Sequence, residues 1–514
     1  MKEKLSKLTR ILPFIISAFI IIGVQYWHAL NQEKNSYHEP WSRSLSLELM
    51  SGNTEPLIQR KDDGFHFYTV GEQQINHSLV HIDLSVEQKK SIDVPISGLD
   101  PYWTNGEDTL FIKNNTLYHQ NALGERNTIL ESAQSLEANE DLAIVSHDKG
   151  VSVINLTTFE PITISNHTAV DVSLSQQGDS LITATELEQG LLQFTFYKLT
   201  NGEFISYPLF QKDSYYETYS SVDYVEQQGK VHLIYNTSSR KGGGNIVIRN
   251  YYADITLSEL PKEVAFSRHL EIRNADTKAR LDRIKDFSLM IDDDQNVKLL
   301  FSSNSSLNGE VATNVFIGSK QGEIWEAHRI GTTYLPSSKP LWVSKDVITW
   351  IDYEGNNYKV MGASTSPQAL ETSLQLTKKD YSIALSRTLL SLSGAFIFLL
   401  VSLLVVIPPA IVLFSMNIFQ IYNKLLVKRI AVVSYLITQF IFIQQFFDSP
   451  SIQTGPFFIN FTFSQYILPI IITIITLLIT YKVNNPDWSE ENEVSYKIGL
   501  HMFLTILLVG PYVI

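Results

Sequence analysis

LDPYWTNGEDTLFIKNNTLYHQNALGERNTI, residues 99–129, breaks into short runs in which apolar and polar side chains alternate. Alternation of this kind puts successive side chains on opposite faces of a half-buried strand. Asn105-Gly106 and Asn114-Asn115 interrupt the runs with residues that tolerate the left-handed backbone of a tight hairpin turn. The unit is therefore strand, turn, strand, turn, strand, followed by a charged link.

The same unit recurs on both sides. Residues 136–164 (LEANEDLAIVSHDKGVSVINLTTFEPITI) turn at Asp148-Lys149-Gly150, and residues 172–207 (VSLSQQGDSLITATELEQGLLQFTFYKLTNGEFISY) turn at Gln177-Gly178 and Asn201-Gly202. Looser copies begin near 56, 222, 287 and 340. Starts separated by roughly 35 to 65 residues predict an all-β fold, a β-propeller of about seven blades in which each four-stranded sheet packs on the next around an axis. DVSLSQQGDSLITAT (171–185) resembles the strand-turn-strand of TolB-like and WD40-like propellers, with Gln176-Gln177 where an acidic pair is usual. None of the copies has the Gly-His…Trp-Asp signature of a true WD40 repeat, so the resemblance implies an architecture and no particular family.

A propeller ring must be closed, and the last copy, 340–363, has room for three strands only. SLSLELM (44–50) alternates strictly, with Leu45, Leu47 and Leu49 on one face. It is expected to complete the final blade, with Ser46 and Glu48 on the opposite face.

Outside this region the composition changes. Residues 11–30 (ILPFIISAFIIIGVQYWHAL) carry no Asp, Glu, Lys or Arg, and twenty residues at ~1.5 Å each match a hydrocarbon core of ~30 Å. Four further apolar segments run approximately over 386–414, 430–447, 464–482 and 497–514. The first of these contains Pro408-Pro409 and should kink or end near that pair. Lys2, Lys4, Lys7 and Arg10 precede the first segment, and Lys424, Lys428 and Arg429 lie before the third. The positive-inside bias then puts residues 1–10 in the cytoplasm, makes 11–30 a transmembrane anchor, places 31–382 as an extracytoplasmic domain, and leaves 383–514 as a membrane domain of about four helices. A retained anchor fits 11–30 better than a cleaved leader, because Tyr26, Trp27 and His28 stand where small residues precede a cleavage site.

The net charge is −13; residues 1–10 carry +3 and 383–514 carry +1, which leaves −17 on 31–382. A domain this acidic repels nucleic acid and anionic headgroups, so basic partners or cations are expected and nucleic acid is not. Cysteine is absent from the whole chain. An exported domain of this size without disulfides points to a bacterial cell membrane.

Motifs with chemical promise each lack a needed part. Asp292-Asp293-Asp294-Gln295-Asn296 begins like a calcium loop, but Val297 replaces the turn glycine and Ser303 the bidentate Glu, so a hairpin turn is expected. Arg240-Lys241-Gly242-Gly243-Gly244-Asn245 lacks the spacing of a phosphate loop. His77 and His81, four apart on a strand, lie ~13 Å from each other at ~3.3 Å per residue, too far for one metal. Ser238-Ser239-Arg240-Lys241 fits S-x-x-K without the accompanying motifs. No catalytic, cofactor or metal residue is therefore assigned. In the apolar segments, besides His28 and the terminal Lys482 and Lys497, Arg387 and His501 are ionisable, both expected at shallow depth, while Gln439, Gln444, Gln445 and Asn460 suit hydrogen bonds between helices. The expected function is a ligand- or protein-binding propeller on a multi-pass anchor, in contact with membrane lipids and with a membrane or extracytoplasmic protein partner, acting as a sensor or accessory subunit. The alternatives are an exported hydrolase or lyase with its site at the propeller mouth, marked by acids, His and Arg gathered at one end of the axis, and a transporter component, marked by ionisable residues buried among the helices.

Overall fold

A computed structural model describes residues 2–51, 55–71, 73–175, 178–187, 190–213, 217–240, 246–260, 268–307, 310–355, 357–418, 424–447, 452, 455–483 and 489–512. The chain divides into two units. One comprises Ser36–Gln375, and the other Met1–Asn35 with Leu376–Ile514.

The first unit is a seven-bladed β-propeller. Its inner strands, one per blade in chain order, are Leu57–Lys61, Tyr102–Thr104, Ala133–Ala138, Ala169–Leu174, Thr218–Gln227, Lys285–Ile291 and Ser337–Ser344. Each leads an antiparallel meander, and all seven begin within five residues of the starts expected from the sequence. Of the expected turns, Gln177 lies outside the described residues, and others form as their residues dictate. Asn114 and Asn115 have φ of 51° and 58°, and Asn201-Gly202 have 55° and 87°, the paired left-handed residues of a two-residue hairpin. Gly150, at φ 139°, has no alternative, since a Cβ there would lie 1.9 Å from the Ser165 carbonyl oxygen. Blade 6 adds an unexpected edge strand, Ile272–Asn274, parallel to Ile324–Arg329.

Ring closure occurs as expected. Leu45–Ser51 is the outermost strand of blade 7, antiparallel to Asn357–Ser364. Leu47 is 0% and Leu49 5% exposed, packed among Phe65, Phe67 and Val80 of blade 1 and Val347 and Val360 of blade 7. Leu45 is only half-buried, because a bulge shifts the register between Ser46 and Met50 and Glu48 takes φ 55° within it. Chain entry and exit are tied together. Ser42 N donates to Ser364 O at 2.9 Å, and Arg43 Nη1 donates to Ser373 O at 3.3 Å in the short helix Pro367–Ser373.

The second unit is helical. In chain order, with the short helix counted as α2, its helices are α1 (Lys2–Lys34), α3 (Lys378–Ser402), α4 (Ile407–Ile418), α5 (Lys424–Gln444), α6 (Phe457–Asn460), α7 (Ser464–Val483) and α8 (Glu490–Val509). Among the described residues, five stretches are long and apolar enough to cross a membrane: Arg10–Lys34, Lys378–Ser415, Lys424–Gln444, Ser464–Val483 and Glu491–Tyr512. A reciprocal capping box starts α3, with Thr377 N and Oγ1 donating to Asp380 Oδ2 at 2.7 and 2.8 Å and Asp380 N returning to Thr377 Oγ1. The break in the long second stretch lies upstream of the proline pair. A 3-10 turn at Leu403–Val406 ends α3, and Pro408 and Pro409 sit in the first turn of α4, where a missing N–H costs nothing.

Two sequence expectations are corrected here. Arg387 and His501 do not snorkel, since both side chains are largely buried between helices. Arg387 on α3 is 13% exposed and ion-pairs with Glu33 on α1, itself 1% exposed. His501 on α8 is buried between Tyr435 of α5 and Thr473 of α7, with 3.1 Å contacts at Nδ1 and Nε2 respectively. The Thr473 hydroxyl proton goes to the Pro469 carbonyl at 2.8 Å, so Nε2–H donates to Thr473 and Tyr435 donates to Nδ1.

Candidate functional site

The inner strands of a propeller present one edge to the axis, and their amides there have no strand to bond. In this ring the next best partner is a carboxylate from the preceding blade. Glu137 Oε1 of blade 3 accepts from Leu174 N of blade 4 at 3.1 Å. Asp171 Oδ2 of blade 4 accepts from Val222 N of blade 5 and from the Tyr219 hydroxyl, both at 3.0 Å. Asp223 of blade 5 accepts from Leu289 N of blade 6 at 2.6 Å and from Ser173 Oγ of blade 4 at 3.2 Å. Asp286 Oδ2 of blade 6 accepts from Lys339 N of blade 7 at 3.2 Å. Four successive blade junctions are thus stapled by bonds from a backbone N–H to a carboxyl oxygen.

Local backbone irregularity aims these side chains. Every inner strand from blade 3 to blade 7 is bulged, with register shifts at Ala133/Ser135, Ala169/Asp171, Tyr219/Ser221, Lys285/Phe287 and Ser338/Leu341. Glu137 and Asp223 stand at the same offset, three residues past the extra residues Gln134 and Ser220. Asp286 and Lys339 lie inside their bulges, at φ 43° and 50°. A bulge turns a side chain off the regular alternation, here toward the neighbouring inner strand.

Burial makes the carboxylates hard to ionise. Asp171 and Asp223 are each pushed up to about 6, because desolvation outweighs the amide and hydroxyl bonds that favour the anion. Glu137 rises well above the ordinary carboxylate range, first by burial and then by the negative charges of Asp171, Asp223 and Glu55. Glu55, just before blade 1, is also raised, by desolvation that outweighs the attraction of Lys339 Nζ at 3.8 Å. Burial and mutual repulsion thus make these carboxyl groups of the inner strands hold their protons to higher pH than free carboxylates do.

These staples give the stability of the propeller a pH dependence of definite sign. Between about pH 4 and pH 6 the folded state holds protons on Asp171 and Asp223 that the unfolded chain has released, so their contribution is lost as pH rises through that interval. His38 and His147, lowered by burial, act in the opposite sense, so the comparison is between parent and Asp223→Asn. From pH 4.5 to 7, thermal unfolding of the full chain in detergent should show Asp223→Asn gaining on the parent. Parallel curves for the two proteins would refute the shift.

The residues singled out in the sequence lie elsewhere. Asp292 and Asp293 form the hairpin turn before Val297, where Lys298 and Lys345 neutralise them at 3.4 and 2.5 Å. His77 meets His66 at 2.8 Å rather than His81. Ser238 and Ser239 lie on the strand Lys230–Arg240, and Lys241 to Asn245 fall outside the described residues. Histidines of the propeller are engaged within their own blades, His66 with Asp63, His119 with Asp108, His147 with Ser152 and His232 with Asp254. The acids expected of an enzymatic mouth are therefore together, and these histidines are bound apart from them. The staples were missed in the sequence. Their one visible trace is the repetition of DVSL (171–174) as DFSL (286–289).

No known protein family's sequence pattern matches the chain, and no curated protein does. Among solved structures, the N-terminal domain of Nup159 is similar at 10% identity and TM-score 0.40, over 64% of this chain and 97% of that one. The WD40 domain of SCAP from fission yeast aligns at 9% identity and TM-score 0.33, over 65% and 100%. TolB from Acinetobacter baumannii aligns at 13% identity and TM-score 0.29, over 61% and 79%. At such values the seven-bladed fold rests on the strand pairing of this chain itself.

Proposed function

We propose that the chain is a multi-pass membrane protein whose acidic propeller is an extracytoplasmic binding head, acting as a sensor or as an accessory subunit of a membrane complex. The observation that carries this reading is the insertion of a closed ring, residues 45–364, between α1 and α3, each long and apolar enough to cross a bilayer. The charge of 31–382 and the carboxylate-lined inner strands favour a basic protein segment or a cation as what is bound. The chain has no cysteine, which makes single-cysteine labelling clean. With a membrane-impermeant maleimide on intact cells, Leu123→Cys at an exposed hairpin should label, and Ser6→Cys should label only after permeabilisation. The reverse pattern would overturn the orientation. Mild crosslinking in native membranes should bring a partner down with the full chain; recovery of the protein alone would count against the accessory role.

A transporter component is the second reading. It is favoured by the ionisable residues buried among the helices, the Glu33–Arg387 pair and His501.

A further inference from the structure

Helices α5, α7 and α8 line an open cavity of about 380 Å³, within the size range of small-molecule sites. Its walls are mostly apolar, with Ile437, Ile470 and Ile474 at the exposed rim, and its polar lining residues are Gln439, Thr473 and His501. The polar groups there are not equivalent. His501 and Thr473 satisfy each other and their neighbours. Pro469 has no N–H to give the Gln465 carbonyl, and Gln444 Nε2 fills that place at 2.6 Å. Gln439 has no such role. It is 2% exposed, and neither its Nε2 nor its Oε1 has a hydrogen-bond partner among the described residues.

An unpartnered amide in an apolar interior is costly, and both its donor and its acceptor are left over. Gln439 lies ten residues past Arg429 and Thr473 nine before Lys482, each ~15 Å along its helix and so near the middle of a ~30 Å hydrocarbon core. The rim residues Ile437, Ile470 and Ile474 are half or more exposed, so the cavity opens on the outer surface of the helical unit. In a bilayer that surface meets acyl chains, not water.

The geometry points to a binding site for a membrane-dissolved amphiphile with an aliphatic body and a small uncharged head that both donates and accepts, an alcohol or a primary amide, held by Gln439. The inference rests on the membrane reading of the helices. A charged head is disfavoured at this depth. A phospholipid keeps its headgroup at the interface, which leaves single-chain or isoprenoid alcohols and amides as the matching class.

The test uses the full chain in phosphatidylcholine nanodiscs and a diazirine analogue of hexadecanol, with crosslinks mapped by mass spectrometry. Saturable labelling is expected on the α5 and α7 peptides around Gln439 and Thr473. Hexadecanol should compete and hexadecane should not. Gln439→Leu should weaken that competition by about tenfold, as for the loss of one or two neutral hydrogen bonds, without loss of thermal stability. Ile474→Trp, which fills the rim, should abolish the saturable component. Non-saturable labelling spread along α5, equal competition by hexadecane, or an unchanged Gln439→Leu would each overturn the site. Phe19 and Ile20, exposed on α1, are the control for insertion. If α1 is unlabelled the membrane reading itself fails, whereas labelled α1 without a saturable site refutes the site alone.

Discussion

Leu47→Asp is expected to open the propeller. Leu47 is 0% exposed on the closing strand, between blade 7 and blade 1, against Phe65, Phe67, Val347 and Val360. Removing a buried leucine costs about 2–5 kcal/mol, and an unpaired carboxylate in its place adds several more. The sum is comparable to the ~5–15 kcal/mol that holds a typical domain folded. The strand also carries the only covalent route from α1 into the ring, so its release frees the first blade and the last together. Protease digestion of the full chain in detergent should therefore accelerate sharply within 36–375. Glu48→Lys, on the exposed face and inside the bulge, should leave digestion unchanged. If Leu47→Asp resists protease like the parent, packing of this strand does not hold the ring closed.

The propeller was legible in the sequence because its signals are local. Alternation is read within five to eight residues, and Asn-Asn or Asn-Gly pairs fix the turns that join neighbouring strands. The closing strand could be read across some 300 residues for a different reason. The last repeat was one strand short, and SLSLELM offered a strictly alternating strand with no partner of its own. The half-buried position of Leu45 was not legible, since the bulge at Glu48 depends on the edge it pairs with.

The carboxylate staples were hidden for the opposite reason. A single acid in an alternating strand reads as a residue on the solvated face, and Asp171, Asp223 and Glu137 fit that description. Their amide partners lie 51, 66 and 37 residues away on the next blade. Only the assembled ring shows that these side chains reach the unpaired edge of the next blade's inner strand. His501 was misplaced because it stands near the start of the apolar segment 497–514, whereas the packing of α8 against α5 and α7 buries it between Tyr435 and Thr473. Glu33 lies past the apolar run of 11–30 and so fell into the link, where nothing indicated a partner 354 positions later.

That distant pair carries the second large effect. Glu33 is 1% exposed and Arg387 13%, and their ion pair joins α1 to α3. Forming such a pair gains little net energy, because the desolvation of two charges offsets most of their attraction, but breaking it strands one charge in a dry interior. Arg387→Leu should therefore cost about 3–5 kcal/mol, the usual consequence of removing one member of a buried ion pair. In a thermal scan in detergent the helical unit should lose a large part of its midpoint shift above the unfolded baseline. The double variant Glu33→Leu with Arg387→Leu removes both charges and should recover most of that loss, giving a large coupling between the two sites. Equal stabilities for parent, single and double variants would mean the pair does not fasten α1 to α3. The double variant also separates the two functional readings. An accessory or sensor protein with both charges replaced should still crosslink to its partner, since its helices are joined by packing, whereas a transport path that uses the pair should lose its activity while the protein remains folded.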